Sequence, residues 1–191
     1  MNIEEAIIKR RALYPEIYKV DAPIPVAVLE QMLHLANHAP THKRTEAWRF
    51  KVLHTDGSKA NLGKILAEGY KANTPTESFS EKKYEKTLAK AQRSGAVIAL
   101  CLERLENSPV PEWEDLASLA MSVQNMWLFA TSREIGAYWS SPKTIHSQAI
   151  REFLGLSESE KCYGFLYLGY HNLEALPAAI RNPWQDKTTW L

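Results

Sequence analysis

Apolar residues recur at helical spacing in stretch after stretch of this chain, and only a few short runs break that habit. Ile3, Ala6 and Ile7 form one face of an opening helix that Asn2 is placed to cap, with Glu5 in the capping-box position. Lys9, Arg10 and Arg11 crowd its end, and Tyr14-Pro15 stops it, because the residue before a proline avoids helical angles. Leu29, Met32, Leu33 and Ala36 predict a second helix from Pro25 to Pro40, followed by a polar, basic loop to Ala47. Trp48–Leu53 alternates as a strand. Residues 57–72 and 80–93 read as helices. The second is mostly Lys and Glu, so it is expected to be a solvated helix rather than a lid, and residues 73–80 between them form a turn-rich excursion carrying Pro75. Ala96–Leu102 is a continuous apolar run, the mark of a strand covered on both faces. The longest helix is predicted over Pro111–Glu134. It is apolar nearly all round and is therefore expected to be buried at the centre. A short strand at Ala137–Trp139, a helix at Ile145–Leu154 ended by Gly155 and an aromatic strand at Tyr163–Tyr170 complete the core elements. The tail over 177–191, with Pro183, Trp184 and Trp190, is too apolar to hang free and is expected to embrace another subunit. Helices alternate irregularly with about four strands, which predicts one domain over 1–191 with a mixed sheet packed by helices.

Composition narrows the function. The chain has 191 residues, 23 of them basic and 22 acidic, for a net charge of +1. That balance speaks against a nucleic-acid surface, which leaves a strongly basic footprint. No apolar run approaches the ~20 residues needed to span a bilayer, and the acidic start Met1–Glu5 lacks the apolar core of a signal peptide, so a cytoplasmic location is expected. Cys101 and Cys162 lie in separate apolar segments and read as buried thiols, neither a metal pair nor nucleophiles.

Several chemistries have no signature. The eight glycines are too scattered for a dinucleotide fingerprint or a P-loop, and HExxH, CxxC and GxSxG are absent. Glu114 and Asp115 stand at a predicted helix start, where the helix dipole favours acids without any catalytic role. His34, His38 and His42 are spaced by four, but Pro40 breaks the helix before the third, which weighs against a metal site. What remains is basic: Lys9-Arg10-Arg11, His42-Lys43-Arg44 and Arg181 sit at element ends. Cations there complement the helix dipole, yet three such spots could also converge on one phosphate-bearing ligand.

These residues together resemble the nitroreductase family of flavin enzymes. The helix ending in Arg10-Arg11 resembles the family's opening. Ala39-Pro40-Thr41-His42-Lys43-Arg44-Thr45-Glu46-Ala47-Trp48 resembles its Ala-Pro-Ser loop. Met121–Trp139, with Gln124, Asn125 and Gly136, is similar to its central helix and following strand. Phe165–Tyr170 resembles its last core strand, and Arg181-Asn182-Pro183 its closing Arg-x-Pro. The resemblance implies an α+β fold: a mixed, mainly antiparallel sheet flanked by helices. It also implies a homodimer built on the central helix with exchanged carboxy-terminal arms, and one FMN at each of two interfacial sites. It implies that Arg10, Arg11, Ala12 and Arg181 hold the flavin phosphate and ribityl chain. Pro40, Thr41 and His42, with His38 just before, would come from the other subunit, and Trp139, Ser140 and Ser141 would lie along the ring's other side.

The activity so implied is ping-pong transfer of hydride from NADH or NADPH, through flavin N5, to an electron-poor acceptor such as a nitroaromatic or a quinone. The alternative is a non-enzymatic flavin protein for storage or redox sensing. The departures are Ala12 in place of serine, Arg44 in place of asparagine and Glu46-Ala47 in place of Gln-Pro. Arg44, if it reaches the ring, would stabilise reduced anionic flavin and raise its potential.

Overall fold

The computed structural model describes residues 1–191. Six helices, α1 (Ile3–Lys9), α2 (Val26–Ala36), α3 (Asp56–Ala72), α4 (Glu81–Gln92), α5 (Glu112–Ser132) and α6 (Gln148–Leu154), surround four strands. The strands are β1 (Trp48–Leu53), β2 (Ala96–Glu103), β3 (Ile135–Ser140) and β4 (Glu160–Tyr170), in the order β1-β2-β4-β3. All neighbouring strands are antiparallel. A parallel component comes only from a bridge between Ala12 and Ala137 at the β3 edge. β3 and β4 begin before the predicted 137 and 163, because Glu160-Lys161 and Ile135-Gly136 carry no alternating pattern yet find ladder partners in Glu103-Leu102 and Tyr170-Gly169.

The apolar run of β2 is explained by its two neighbours in depth. Ile98, Leu100 and Leu102 face Leu119, Val123 and Met126 of α5 and Leu29, Met32 and Ala36 of α2 in one buried cluster. Val97, Ala99 and Cys101 join Leu62 and Leu66 of α3, Ala91 of α4 and Ile150 of α6 in another. Alternate side chains of one strand thus feed two cores. Cys101 and Cys162, read separately from the sequence, face each other in the β2–β4 ladder, both buried as free thiols.

Two expectations need correction. The central helix is not buried all round. The sheet, α1 and α2 cover one side of α5, and the other side leaves Trp113 and Met121 exposed in a stripe with Ala117, Ala120 and Gln124. On α1 only Ala6 is buried, while Ile3 and Ile7 face outward. In the tail beyond Pro177, Ile180, Trp184 and Trp190 are exposed on this chain. No helix is long and apolar enough to cross a membrane.

The Lys/Glu-rich helix also departs from a plain solvated helix. α4 lies tightly along α3, where Gly63 leaves room for the Leu88 carbonyl, and Lys86 reaches Glu16 at 2.8 Å. A Cβ at Gly63 would stand 2.3 Å from the Leu88 oxygen, a backbone atom that cannot swing away. Gly63→Ala is therefore expected to lower stability by about 1–3 kcal/mol, read as a lower urea midpoint at unchanged slope. An unchanged midpoint would show that α4 does not depend on this contact.

Candidate functional site

The segment after α1 is the first half of the site. Arg10 ends the helix, and its N–H still donates to the Ala6 carbonyl. The chain then runs beside β3: Leu13 N–H donates to the Ala137 carbonyl at 3.0 Å, and Ala12 bridges Ala137. Trp127 of α5 fixes this segment twice. Its indole N–H donates to the Arg11 carbonyl at 3.1 Å, and its ring lies under the Arg10 guanidinium, 4.8 Å from centroid to carbon. Such a cation–π contact holds the guanidinium without neutralising it. Arg11 donates through Nε to the Pro177 carbonyl at 3.0 Å and so ties down the start of the carboxy-terminal arm. The arm brings in Arg181. Burial, and after it the like charges of Arg181 and Arg11, hold the Arg10 guanidinium below its ordinary value. Three arginines gathered without an acid to pair them make a place for an anion.

The far end of the same strip is shaped by a bulge. Between Leu100 and Cys101 the β2–β4 register slips, so that Tyr163 has no partner on β2. Bulges take a backbone group off the ladder and re-aim it. Here the Tyr163 carbonyl accepts from the Ser141 hydroxyl at 2.8 Å and from the Trp139 indole at 3.4 Å. Gly164 makes room for that indole, since a Cβ there would lie 1.9 Å from Trp139 Nε1. Trp139, Ser140 and Ser141 are thereby fixed at the end of β3. Because Ala12 and Ala137 pair in parallel, Arg10 stands at the start of β3, and about 16 Å of strand separates it from Ser140.

The second half lies elsewhere. After α2 the chain turns at Pro40 into a loop in which Lys43, Arg44 and Glu46 have φ of 50°, 54° and 41°. Left-handed angles cost a non-glycine residue roughly 1–2 kcal/mol, so something must hold this loop. Thr41 Oγ1 accepts from the Glu46 N–H at 3.2 Å and lies 3.0 Å from the Thr45 hydroxyl. Thr45 donates to Asp115 Oδ1 at 2.6 Å, and Arg104 Nε donates to Asp115 Oδ2 at 2.7 Å. His42 pairs with Glu114. The two acids at the start of α5 are therefore more than dipole partners: Asp115, 2 % exposed, is the peg on which the loop hangs.

One chain does not bring the predicted residues together. Arg10, Arg11, Ala12 and Arg181 cluster with the β3 strip, whereas Pro40, Thr41, His42 and Arg44 sit at the amino end of α5, about 18 Å along the helix from Trp127. His38 stands apart from both, at the end of α2, with its Nε2 3.4 Å from that of His34. Arg11, Ser140 and His38 line three different cavities, of about 470, 510 and 430 Å³. Trp127, Arg104 and Gly164 hold these segments in place but carry no distinguishing signal in the sequence, and Asp115 reads there only as a partner of the helix dipole.

A family model for the nitroreductase family matches residues 8–170, so the chain belongs to that family. It is 29% identical over 167 residues to the Bacillus subtilis (strain 168) protein named "Putative NAD(P)H nitroreductase YfhC", covering 87% of this chain and 84% of that one. It is likewise 29% identical over 176 residues to YdjA of Escherichia coli (strain K12), which bears the same description, covering 92% and 91% of the two chains. Among solved structures, a nitroreductase-like family protein from Bacillus cereus superimposes with a TM-score of 0.79 at 23% identity, over 100% of this chain and 96% of the other. A nitroreductase with bound FMN from Bacteroides fragilis gives a TM-score of 0.76 at 22% identity, over 100% and 99%.

Asp115→Ala removes the partner of both Arg104 and Thr45. Breaking a buried pair from one side costs about 3–5 kcal/mol, and the left-handed loop loses its anchor. Thermal melting is expected to fall, with faster proteolysis confined to residues 41–46. Cleavage spread evenly over the chain would mean that Asp115 serves the whole fold and not this loop.

Proposed function

We propose that the chain is an FMN-dependent oxidoreductase that works as a homodimer, taking hydride from NADH or NADPH and passing it to a nitroaromatic or a quinone in a ping-pong cycle. The observation that carries this reading is the convergence of Arg10, Arg11 and Arg181 at one end of a strip whose other end presents Trp139, Ser140 and Ser141. The residues suit FMN: an unpaired cationic cluster for its phosphate, then extended backbone, then fixed polar groups beside an aromatic ring. Bound there, FMN would supply reversible uptake and release of hydride.

Each side chain has a task in that frame. Arg10 and Arg181 neutralise the phosphate, and Arg11 locks the arm against α1. Ala12 contributes backbone only, without the hydroxyl that serine would add. Trp139 would wall the ring end, and the Ser140–Ser141 backbone would offer it hydrogen-bond donors. Pro40, Thr41, His42 and Arg44, with His38 ahead of them, cover the ring from the second chain. The separation along α5 supports this division. A two-fold axis crossing the exposed stripe near Met121 would run two α5 helices in opposite senses and set Asp115 of one, which holds the loop, beside Trp127 of the other, which holds the arginines. Exposed Trp184 and Trp190 then have a second chain to lie on.

Purified protein is expected to show a flavin spectrum after FMN is added, to bleach under anaerobic NADPH or NADH, and to recover colour with a quinone. Arg181→Ala is expected to weaken FMN binding about tenfold or more, the scale of one lost charged hydrogen bond. Arg44→Ala is expected to lower the flavin midpoint potential. Yellow protein that neither donor bleaches would instead support a storage or sensing role, and protein that refuses FMN would overturn the flavin reading.

A further inference from the structure

A cavity of about 510 Å³ opens between α3, α4 and the end of β3, a size in the range of small-molecule sites. Lys83, Lys90 and Lys143 line it together with Tyr70, Ser140 and Tyr167, and no carboxylate does. None of the three lysines forms an ion pair. Two are held in place by aromatic rings: Lys83 Nζ lies 4.6 Å from the Tyr70 centroid, and Lys90 Nζ lies 5.4 and 5.6 Å from those of Tyr138 and Tyr167. Glu16, the acid nearest in charge to Lys90, is already bound to Lys86. Burial then lowers the Lys90 ammonium below its ordinary value, Glu16 raises it in part, and the like charge of Lys86 lowers it again. Like charges collected in a concave wall without counter-charge concentrate positive potential.

We propose that this cavity is a second anion subsite, separate from the arginine cluster, and that it binds the carboxylate or phosphate of the small molecule exchanging electrons at the Ser140 end of β3. Lys90 and Lys143 supply the charge, Lys83 closes the outer side, and threonine and serine hydroxyls of the wall take up the remaining acceptor atoms. The anion is read from the lysines alone; its part in electron exchange rests on the function proposed above. α4 is then a wall of the substrate site, which accounts for its lysine-rich inner turn.

The test compares the wild-type protein with the double variant Lys90→Gln/Lys143→Gln and, as a variant at an exposed position, Lys143→Gln alone. FMN content and melting temperature are checked first. Equilibrium dialysis of 4-nitrobenzoate, 4-nitrophenyl phosphate and the uncharged 4-nitrobenzamide measures anion preference without turnover. The wild type is expected to bind at least one anion about tenfold more tightly than the amide, and the double variant to lose that preference. Kinetics then identifies the source. A rise in KM for 4-nitrobenzoate but not 4-nitrobenzamide, with N-benzyl-dihydronicotinamide as uncharged donor, assigns the subsite to an acidic acceptor. A rise in KM for NADH or NADPH but not for the uncharged donor, with a neutral quinone, assigns it to the donor's phosphates. Anion preference in dialysis with no turnover on any donor would sustain the subsite while the oxidoreductase reading fails. Normal turnover with equal affinity for anions and amide, in wild type and variants alike, would overturn the subsite.

Discussion

The indole of Trp127 does two jobs at once, and the placement of the arginines depends on both. By accepting the Arg10 guanidinium on its face and donating to the Arg11 carbonyl, it presses residues 10–13 against the β3 edge. Without that contact the segment would have one backbone hydrogen bond, Leu13 to Ala137, to hold it there. Gathering Arg10, Arg11 and Arg181 is electrostatically unfavourable, and the packing of α5 against β3 carries that cost. The fold therefore holds a cationic cluster that no acid of this chain pairs.

The length of α5 is the second constraint. It runs from the acid pair that holds the strained loop to the tryptophan that holds the arginines, so one rigid element keeps apart the two groups of residues that the proposed function joins across two chains. The exposed stripe along the helix and the apolar arm beyond β4 have the same character: surface that is costly to leave in water and that a second copy would cover.

Much of the architecture was legible because its signals are local. Helical spacing, the Asn2 cap, Gly155 and the doubly apolar β2 run each follow from a few neighbouring residues. The basic clusters were visible as clusters, and the resemblance assigned the loop and the arginines to different subunits, but their attachment to the two ends of α5 was not visible, because it depends on how helices pack against the sheet. The facing of Cys101 and Cys162, the bulge at Tyr163 and the inward turn of Lys90 are likewise products of register and of α4 lying on α3. Nothing in the Lys/Glu pattern of α4 distinguishes the lysine that meets Tyr138 and Tyr167 from those that meet water. The left-handed angles of Lys43, Arg44 and Glu46 were hidden for a different reason. No glycine marks them; Thr41 and Thr45 hold the loop from within, and Asp115 anchors Thr45 from a distant helix.

The separation of the two half-sites along α5 has a consequence for mixed populations of damaged chains. Under the proposed pairing, each site draws its arginines from one chain and its loop from the other. Suppose one allele has lost Arg10 and a second has lost His42. In every heterodimer both lesions then fall in the same site, and the other site receives an intact contribution from each parent. Two defective genes would thus restore function to each other in one cell, although neither product works alone.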